Sequence, residues 1–202
     1  MATRLYGART GNCRRAAIAL AEAGIAYSVS QVDLKAGAHK SAAFRALNPR
    51  GLVPVMVEDG DTGPDLVLTQ SNAIMFHAAR RSRERLVPEQ GRQSAVFLDR
   101  LFYFVTEVIA PNGSAFALAQ QGDEPGARLL AGRSLDALVQ AERFLTDSPY
   151  IAGDTFTLAD IAAYTSVFAV TQDLDWSALP FLDAWYARIG ARPGVVRGMA
   201  AF

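Results

Sequence analysis

The sequence predicts an α/β N-terminal domain followed by an all-α C-terminal domain. Three observations predict it. Strand-like stretches end with Leu66–Leu68, every apolar pattern beyond residue 90 has helical spacing, and a charge-rich segment, RRSRERLVPEQ (80–90), separates the two. About 80 mixed residues followed by more than 100 helical ones favour segregated layers over a doubly wound sheet. The expected organisation is 1–80 for the α/β domain, 81–90 for a linker and 91–202 for the helical domain.

Residues 3–7 are short and strand-like, and Gly11 with Asn12 turns the chain into a helix carrying Ala17, Leu20, Ala21 and Gly24 on one face. Residues 27–34 (YSVSQVDL) alternate apolar and polar, and residues 40–47 read as a short helix stopped by Asn48-Pro49. Two apolar runs, 52–57 and 66–68, joined by Gly, Asp and Pro, suit an antiparallel hairpin. Pro54 lacks an N–H, so its place in the first run implies an edge, a strand start or a cis bond at a functional turn. A helix follows over 71–81. In the second half, Leu98, Leu101, Phe102, Val105 and Ile109 make one apolar face, and Leu135, Leu138, Val139 and Leu145 another. Leu158, Ile161, Ala162, Thr165 and Ala169 make a third, and Phe181, Ala184, Trp185 and Ile189 a fourth.

Twenty Lys and Arg balance twenty Asp and Glu, so no net field draws the chain to nucleic acid or an acidic membrane. The single cysteine, Cys13, excludes an internal disulfide framework, a dithiol pair and a Cys-based zinc cluster, and suits a reducing, cytoplasmic setting. The opening MATRLYGARTGN has no signal-peptide pattern, and no stretch approaches the ~18 uninterrupted apolar residues that span a bilayer; neither export nor membrane insertion is expected.

A βαβα unit followed by ββα, with proline opening the third strand, is the arrangement of the thioredoxin-like fold. Four segments sharpen the reading. LYGARTGNCRRAAIAL, NPRGLVPVMVEDG, TQSNAI and YIAGDTFTLADIAAY resemble, in order, four signature segments of cytosolic glutathione transferases. The resemblance runs from Leu5 to Tyr164. It implies a glutathione transferase architecture, glutathione as co-substrate, no metal, and a homodimer.

Glutathione carries two carboxylates and an extended backbone, so a receptor needs anion sites at both ends and main-chain pairing between them. The resemblance places Gln70 and Ser71 at the γ-glutamyl carboxylate, where a helix N-terminus offers free N–H groups. It places Val53, turned outward before Pro54, against the cysteinyl part, and His39, Lys40 and Arg50 near the glycyl carboxylate. Plainer roles stand beside these: Ser71 as an N-cap, the three cations as a solvated loop, Pro54 as an edge-strand proline.

Conjugation needs glutathione as thiolate, whereas a free thiol has a pKa of about 8.5. Lowering it by roughly two units takes about 2.7 kcal/mol, which one or two donors at a helix N-terminus supply. Thr10 and Asn12 occupy that turn. Serine-type relatives carry a hydroxyl at the place of Thr10, and the Cys of cysteine-type relatives falls at Asn12. A Thr-x-Asn pattern resembles the bacterial Nu-class/Ure2-like branch, which raises glutathione-dependent disulfide or peroxide reduction, or a non-catalytic glutathione-binding module, beside conjugation. Cys13 lies one residue past the family's catalytic cysteine and reads as a small buried hydrophobe; Tyr6 reads as strand packing.

With Leu98, Leu101, Phe102 and Val105 assigned to the core, Arg100, Tyr103, Phe104 and Glu107 are left for another face. That face suits either a second-substrate pocket, floored by Tyr103 or Phe104 with Glu107, for a small hydrophobic electrophile or disulfide, or a dimer contact. Thr157 through Asp160 forms a capping box, which makes Asp160 a folding residue whose loss costs on the order of 1 kcal/mol.

Overall fold

The computed structural model describes residues 2–60 and 63–202. The first half alternates strands and helices: β1 (Thr3–Gly7), α1 (Gly11–Glu22), β2 (Ser28–Gln31), α2 (Ala42–Leu47), β3 (Val55–Glu58), β4 (Leu66–Leu68) and α3 (Ser71–Arg81). The strands form one mixed sheet in the order β2-β1-β3-β4, with β1 parallel to β2 and antiparallel to β3, and β3 antiparallel to β4. This is the thioredoxin-like arrangement. Of the expected hairpin turn, Asp61 and Thr62 lie outside the described residues.

Alternation along β1 sends Leu5 to one side and Tyr6 to the other. Leu5, paired with Met56, is fully buried, and α1 and α3 pack on each other, with Ile18, Leu20, Ile74 and Met75 buried. On the other side, Tyr6 packs against Val32, Phe44 and Val55. Strand β2 is shorter than the expected 27–34, and the expected helix over 40–47 divides into a 3₁₀ turn, Ala38–Lys40, and α2. Ser41 makes the division: its hydroxyl accepts from Phe44 N at 3.2 Å and starts a new helix.

The remaining helices are α4 (Gly91–Tyr103), a π-helical turn (Phe104–Ile109), α5 (Ala110–Gln120), α6 (Glu124–Gln140), α7 (Leu158–Ala169), α8 (Pro180–Gly190) and α9 (Pro193–Met199). Val87–Gly190 forms a second unit, while Ala191–Phe202 joins the first. The expected assignment of 91–202 to the helical domain is therefore corrected at its end. Three features hold this tail to the first unit. Gly198 meets α1 so closely that a Cβ there would lie 2.5 Å from Ile18 N. Arg192 forks onto Glu22 at 2.7 and 3.2 Å. The Phe202 ring lies against Gly7, where an added Cβ would be 2.7 Å from one ring carbon.

In the second unit the predicted stripe on α4 is rotated. Phe97, Leu101, Phe104 and Val108 are buried, whereas Leu98 and Phe102 are 40% and 56% exposed. Apolar residues here come as adjacent pairs, 97–98, 101–102, 104–105 and 108–109, so two stripes fit the same period. The π turn then adds a residue to the register, and Ser134 donates to Val108 O at 2.8 Å. The predicted face on α8 shifts likewise: Leu182, Trp185 and Ile189 are buried, Phe181 is exposed. The run Gly91–Gln120, whose most apolar 18-residue stretch has a mean hydropathy of 1.2, is long and apolar enough to cross a bilayer by length and composition alone.

The capping box is formed as expected, and Asp160 does more than cap. Its Oδ2 accepts from Thr157 N at 2.8 Å and the Thr157 hydroxyl at 3.2 Å; its Oδ1 accepts from Ile151 N and Trp185 Nε1, both at 2.9 Å. Burial pushes this carboxyl up from its ordinary value, and the four donors work against that rise.

Candidate functional site

Where β1 ends, residues 8–10 turn the chain into α1, and Thr10 is its N-cap, with extended φ and ψ of −120° and 154°. The Thr10 Oγ1 accepts from Cys13 N at 3.2 Å, a bond that uses a lone pair and does not consume the hydroxyl proton. Asn12 is exposed, and its Oδ1 accepts from Arg15 at 2.7 Å. Cys13 is fully buried; Ala8 N donates to its sulfur at 3.4 Å, and a Cβ on Gly7 would sit 3.0 Å from it. Burial pushes the Cys13 thiol up despite the hydrogen bonds at Thr10 and Ala8, so little thiolate forms there at neutral pH.

Ser71 is the first residue of α3 and is buried, while Gln70 before it is exposed and makes no side-chain cap. The first N–H groups of α3 thus carry no capping side chain from Gln70, an arrangement suited to an anion. The two helix starts are joined by Arg15, one of whose nitrogens reaches both Asn12 Oδ1 and, at 3.4 Å, Ser71 Oγ. Arg15 is 2% exposed, and burial lowers its guanidinium to about 10, so it stays charged at neutral pH.

The segment before β3 is shaped by Asn48, which is buried. Its Nδ2 donates to Leu52 O at 2.7 Å, and its Oδ1 accepts from Arg50 N at 3.2 Å. Gly51 has φ of +62°, and a Cβ there would lie 2.8 Å from His39 O, so this loop rests directly on the Ala38–Lys40 turn. That contact brings the backbone of His39, Lys40 and Arg50 into one neighbourhood. Lys40 and Arg50 are exposed, and His39 Nδ1 is buried without a partner among the described residues. The Val53–Pro54 peptide is cis. Val53 precedes the ladder, and its N–H and C=O have no hydrogen-bond partner among the described residues.

The second-substrate residues are placed differently from the expectation. Phe104 is fully buried inside the second unit, and the Tyr103 hydroxyl donates to Ala137 O at 2.6 Å, with its ring edge-on to Phe104 and Phe144. Glu107 is exposed, accepting from Thr106 at 3.0 Å. The cause is the rotated stripe of α4: Phe97 and Phe104 take the core places given to Leu98 and Phe102, so Tyr103, Phe104 and Glu107 do not form one open wall.

Two residues escaped the sequence reading. Arg15 had a signal, a charged side chain one step before the apolar run AAIAL. Asn48 had a weaker one, since it was read only as a helix stop.

The chain matches the glutathione S-transferase N-terminal domain over residues 11–81 and the C-terminal domain of the same family over 104–193. It is similar to glutathione S-transferase 3 of Zea mays, 33% identical over 98% of this chain and 93% of the relative. It is also similar to the disulfide-bond oxidoreductase YfcG of Escherichia coli, 28% identical over 94% and 90%. Among solved structures, a glutathione transferase homolog from Lodderomyces elongisporus with two GSH per subunit superposes with a TM-score of 0.86 at 26% identity, covering 99% of this chain and 98% of that one. With both halves matched and a relative of this identity aligned nearly end to end, the chain belongs to the glutathione S-transferase family.

Proposed function

We propose that the chain binds glutathione on its first unit and holds the thiol as thiolate for attack on a hydrophobic electrophile. The observation that carries this reading is the state of Thr10: its oxygen is occupied by Cys13 N, so its remaining hydrogen-bonding capacity at the start of α1 includes a proton donor. The exposed Asn12 amide adds a second donor to the same turn. Ser71 and Gln70 receive the γ-glutamyl carboxylate, Val53 pairs with the cysteinyl backbone, and His39, Lys40 and Arg50 face the glycyl carboxylate. In conjugation the sulfur lone pair forms the new C–S bond while the leaving group departs with its bonding electrons.

Disulfide reduction is the second reading, favoured by the Thr-x-Asn pattern and by the relative named a disulfide-bond oxidoreductase. With Cys13 buried, that reaction draws both electrons from two glutathiones: one thiolate attacks the disulfide, and a second resolves the mixed disulfide to glutathione disulfide. A homodimer in a reducing, cytoplasmic setting completes the proposal. The exposed Leu98, Phe102 and Phe116 along Gly91–Gln120 supply an apolar surface for the second copy.

Paired assays test the reading, one following glutathione with an aryl halide and one with a small mixed disulfide. Turnover in the first supports conjugation and in the second reduction; silence in both with glutathione still bound makes the chain a binding module. Thr10→Ala and Asn12→Ala are each expected to move the pH–rate profile to higher pH with affinity changed less than rate. Profiles that stay in place overturn the assignment.

A further inference from the structure

We propose that Arg15 is the positioning residue that turns Asn12 and Ser71 into outward-facing donors and so couples the thiolate site to the γ-glutamyl carboxylate site. The proposal rests on the site reading above and adds to it a buried residue that acts through Asn12 and Ser71. A guanidinium has hydrogen-bond donors and no acceptor. The Asn12 atom 2.7 Å from Arg15 is therefore the amide oxygen, and the amide plane is pinned with Nδ2 and its two protons directed away from Arg15. The same nitrogen lies 3.4 Å from Ser71 Oγ. Accepting there leaves the Ser71 proton for another acceptor.

One buried cation thus fixes the polarity of two side chains 59 positions apart in sequence, at the starts of two different helices. Without it, each has a competing orientation. Asn12 can present its oxygen, which repels a thiolate, and Ser71 can donate its proton within the protein. Arg15 stands one turn behind the exposed Asn12 and is itself 2% exposed, so it acts on the ligand site through Asn12 and Ser71. The guanidinium falls only to about 10, so the charge is present throughout the working range.

The test uses the full chain with Arg15→Met, which keeps the stem and removes donors and charge, and Arg15→Lys, which restores a charge and a point donor. The urea midpoint and circular dichroism establish the folded fraction of each. Two quantities are then read on folded protein: the pKa of bound glutathione, from thiolate ultraviolet absorbance, and the dissociation constant of S-methylglutathione, which keeps the γ-glutamyl carboxylate but has no ionisable thiol. Arg15→Met is expected to raise the bound-thiol pKa by about one unit and weaken S-methylglutathione by about tenfold, the scale of a lost charge-assisted hydrogen bond. Arg15→Lys is expected to recover part of both. Asn12→Ala with Arg15→Met should raise the thiol pKa little beyond Asn12→Ala alone, because the two act through one group.

Wild-type values of both quantities in folded Arg15→Met overturn the proposal while leaving the site reading intact, provided Asn12→Ala shifts the thiol pKa and Ser71→Ala weakens S-methylglutathione. If neither of those single variants has its effect, the site reading fails and the proposal falls with it. Should Arg15→Met not fold, Arg15→Gln takes its place under the same criteria.

Discussion

Removing the Asp160 carboxylate should cost far more than the loss of a helix cap. A cap alone is worth about 1 kcal/mol. Here Asp160→Ala strands three donors that have no freedom to turn away, Ile151 N, Thr157 N and Trp185 Nε1, while the Thr157 hydroxyl can rotate. Each buried donor left unsatisfied costs about 1–3 kcal/mol. Against that, the wild-type carboxylate carries its own burial penalty, which its raised pKa reveals as not fully offset, and that penalty disappears with it. The net expectation is about 3–5 kcal/mol, the cost of three stranded donors less that penalty. Both tryptophans, Trp176 and Trp185, lie in the second unit, so urea unfolding followed by tryptophan fluorescence reads the affected region. Asp160→Asn should lose nearly as much, because its NH₂ must face donors on one side or the other. Turnover per folded molecule should stay near wild type. A loss of 1 kcal/mol or less for Asp160→Ala would refute the reasoning, since it would mean that Trp185 and Ile151 find other partners at no net cost.

Gly198→Ala should destabilise the first unit by about 1–3 kcal/mol, since the new Cβ meets the Ile18 backbone and the two helices must part, outweighing the helix-propensity gain of about 1 kcal/mol; a neutral or stabilising result in a urea titration refutes the close approach. Glu58 lies against His77 and Arg81; burial opposes its charge, but the His77 hydrogen bond and then the Arg81 charge and hydrogen bond win, holding the carboxyl below its ordinary value. Its contribution is therefore present above the unfolded-state value and lost as pH falls through the folded one, so Glu58→Gln should flatten the acid limb of stability against pH, and an unchanged limb by circular dichroism speaks against the network. Cys13 should react with a maleimide only as the chain unfolds, its rate rising with urea; labelling of native protein as fast as a free thiol contradicts its burial.

Much of the first unit is legible because local chemistry decides it. Helix α3 begins and ends where expected, at Ser71 and Arg81, since Gln70-Ser71 opens a helix after an extended run and a cluster of charge closes it. Strand β1 is bounded by a glycine and a turn, and the Thr157 box names its own helix start. What was not legible depends on long-range choice. The α4 sequence offers two equivalent apolar stripes, and only packing against α6 and α7 selects the one that buries Phe104 in place of Phe102. The return of Ala191–Phe202 to the first unit depends on Gly198 facing Ile18, a relation between residues 180 positions apart that no window of sequence displays. The link between Asn12 and Ser71 through Arg15 is of the same kind, and composition pointed only to a charge among alanines.

On the proposed function, one side chain in the turn after β1 serves fold and chemistry together. Thr10 uses an acceptor on Cys13 N and so starts α1, and that bond does not consume its hydroxyl proton. Capping and thiolate stabilisation are thus compatible, because they use opposite functions of one hydroxyl. Cys13 cannot act beside it. The Cys13 sulfur is sealed next to Gly7 and Phe202, and its thiol is pushed up by burial, so the reactive sulfur has to arrive with the ligand. Asn12 does not cap the helix, and its oxygen is held by Arg15. Loss of Thr10 should therefore weaken the helix start and the thiolate at once, loss of Asn12 should leave helix capping intact, and comparing the two separates folding from chemistry within a single turn of backbone.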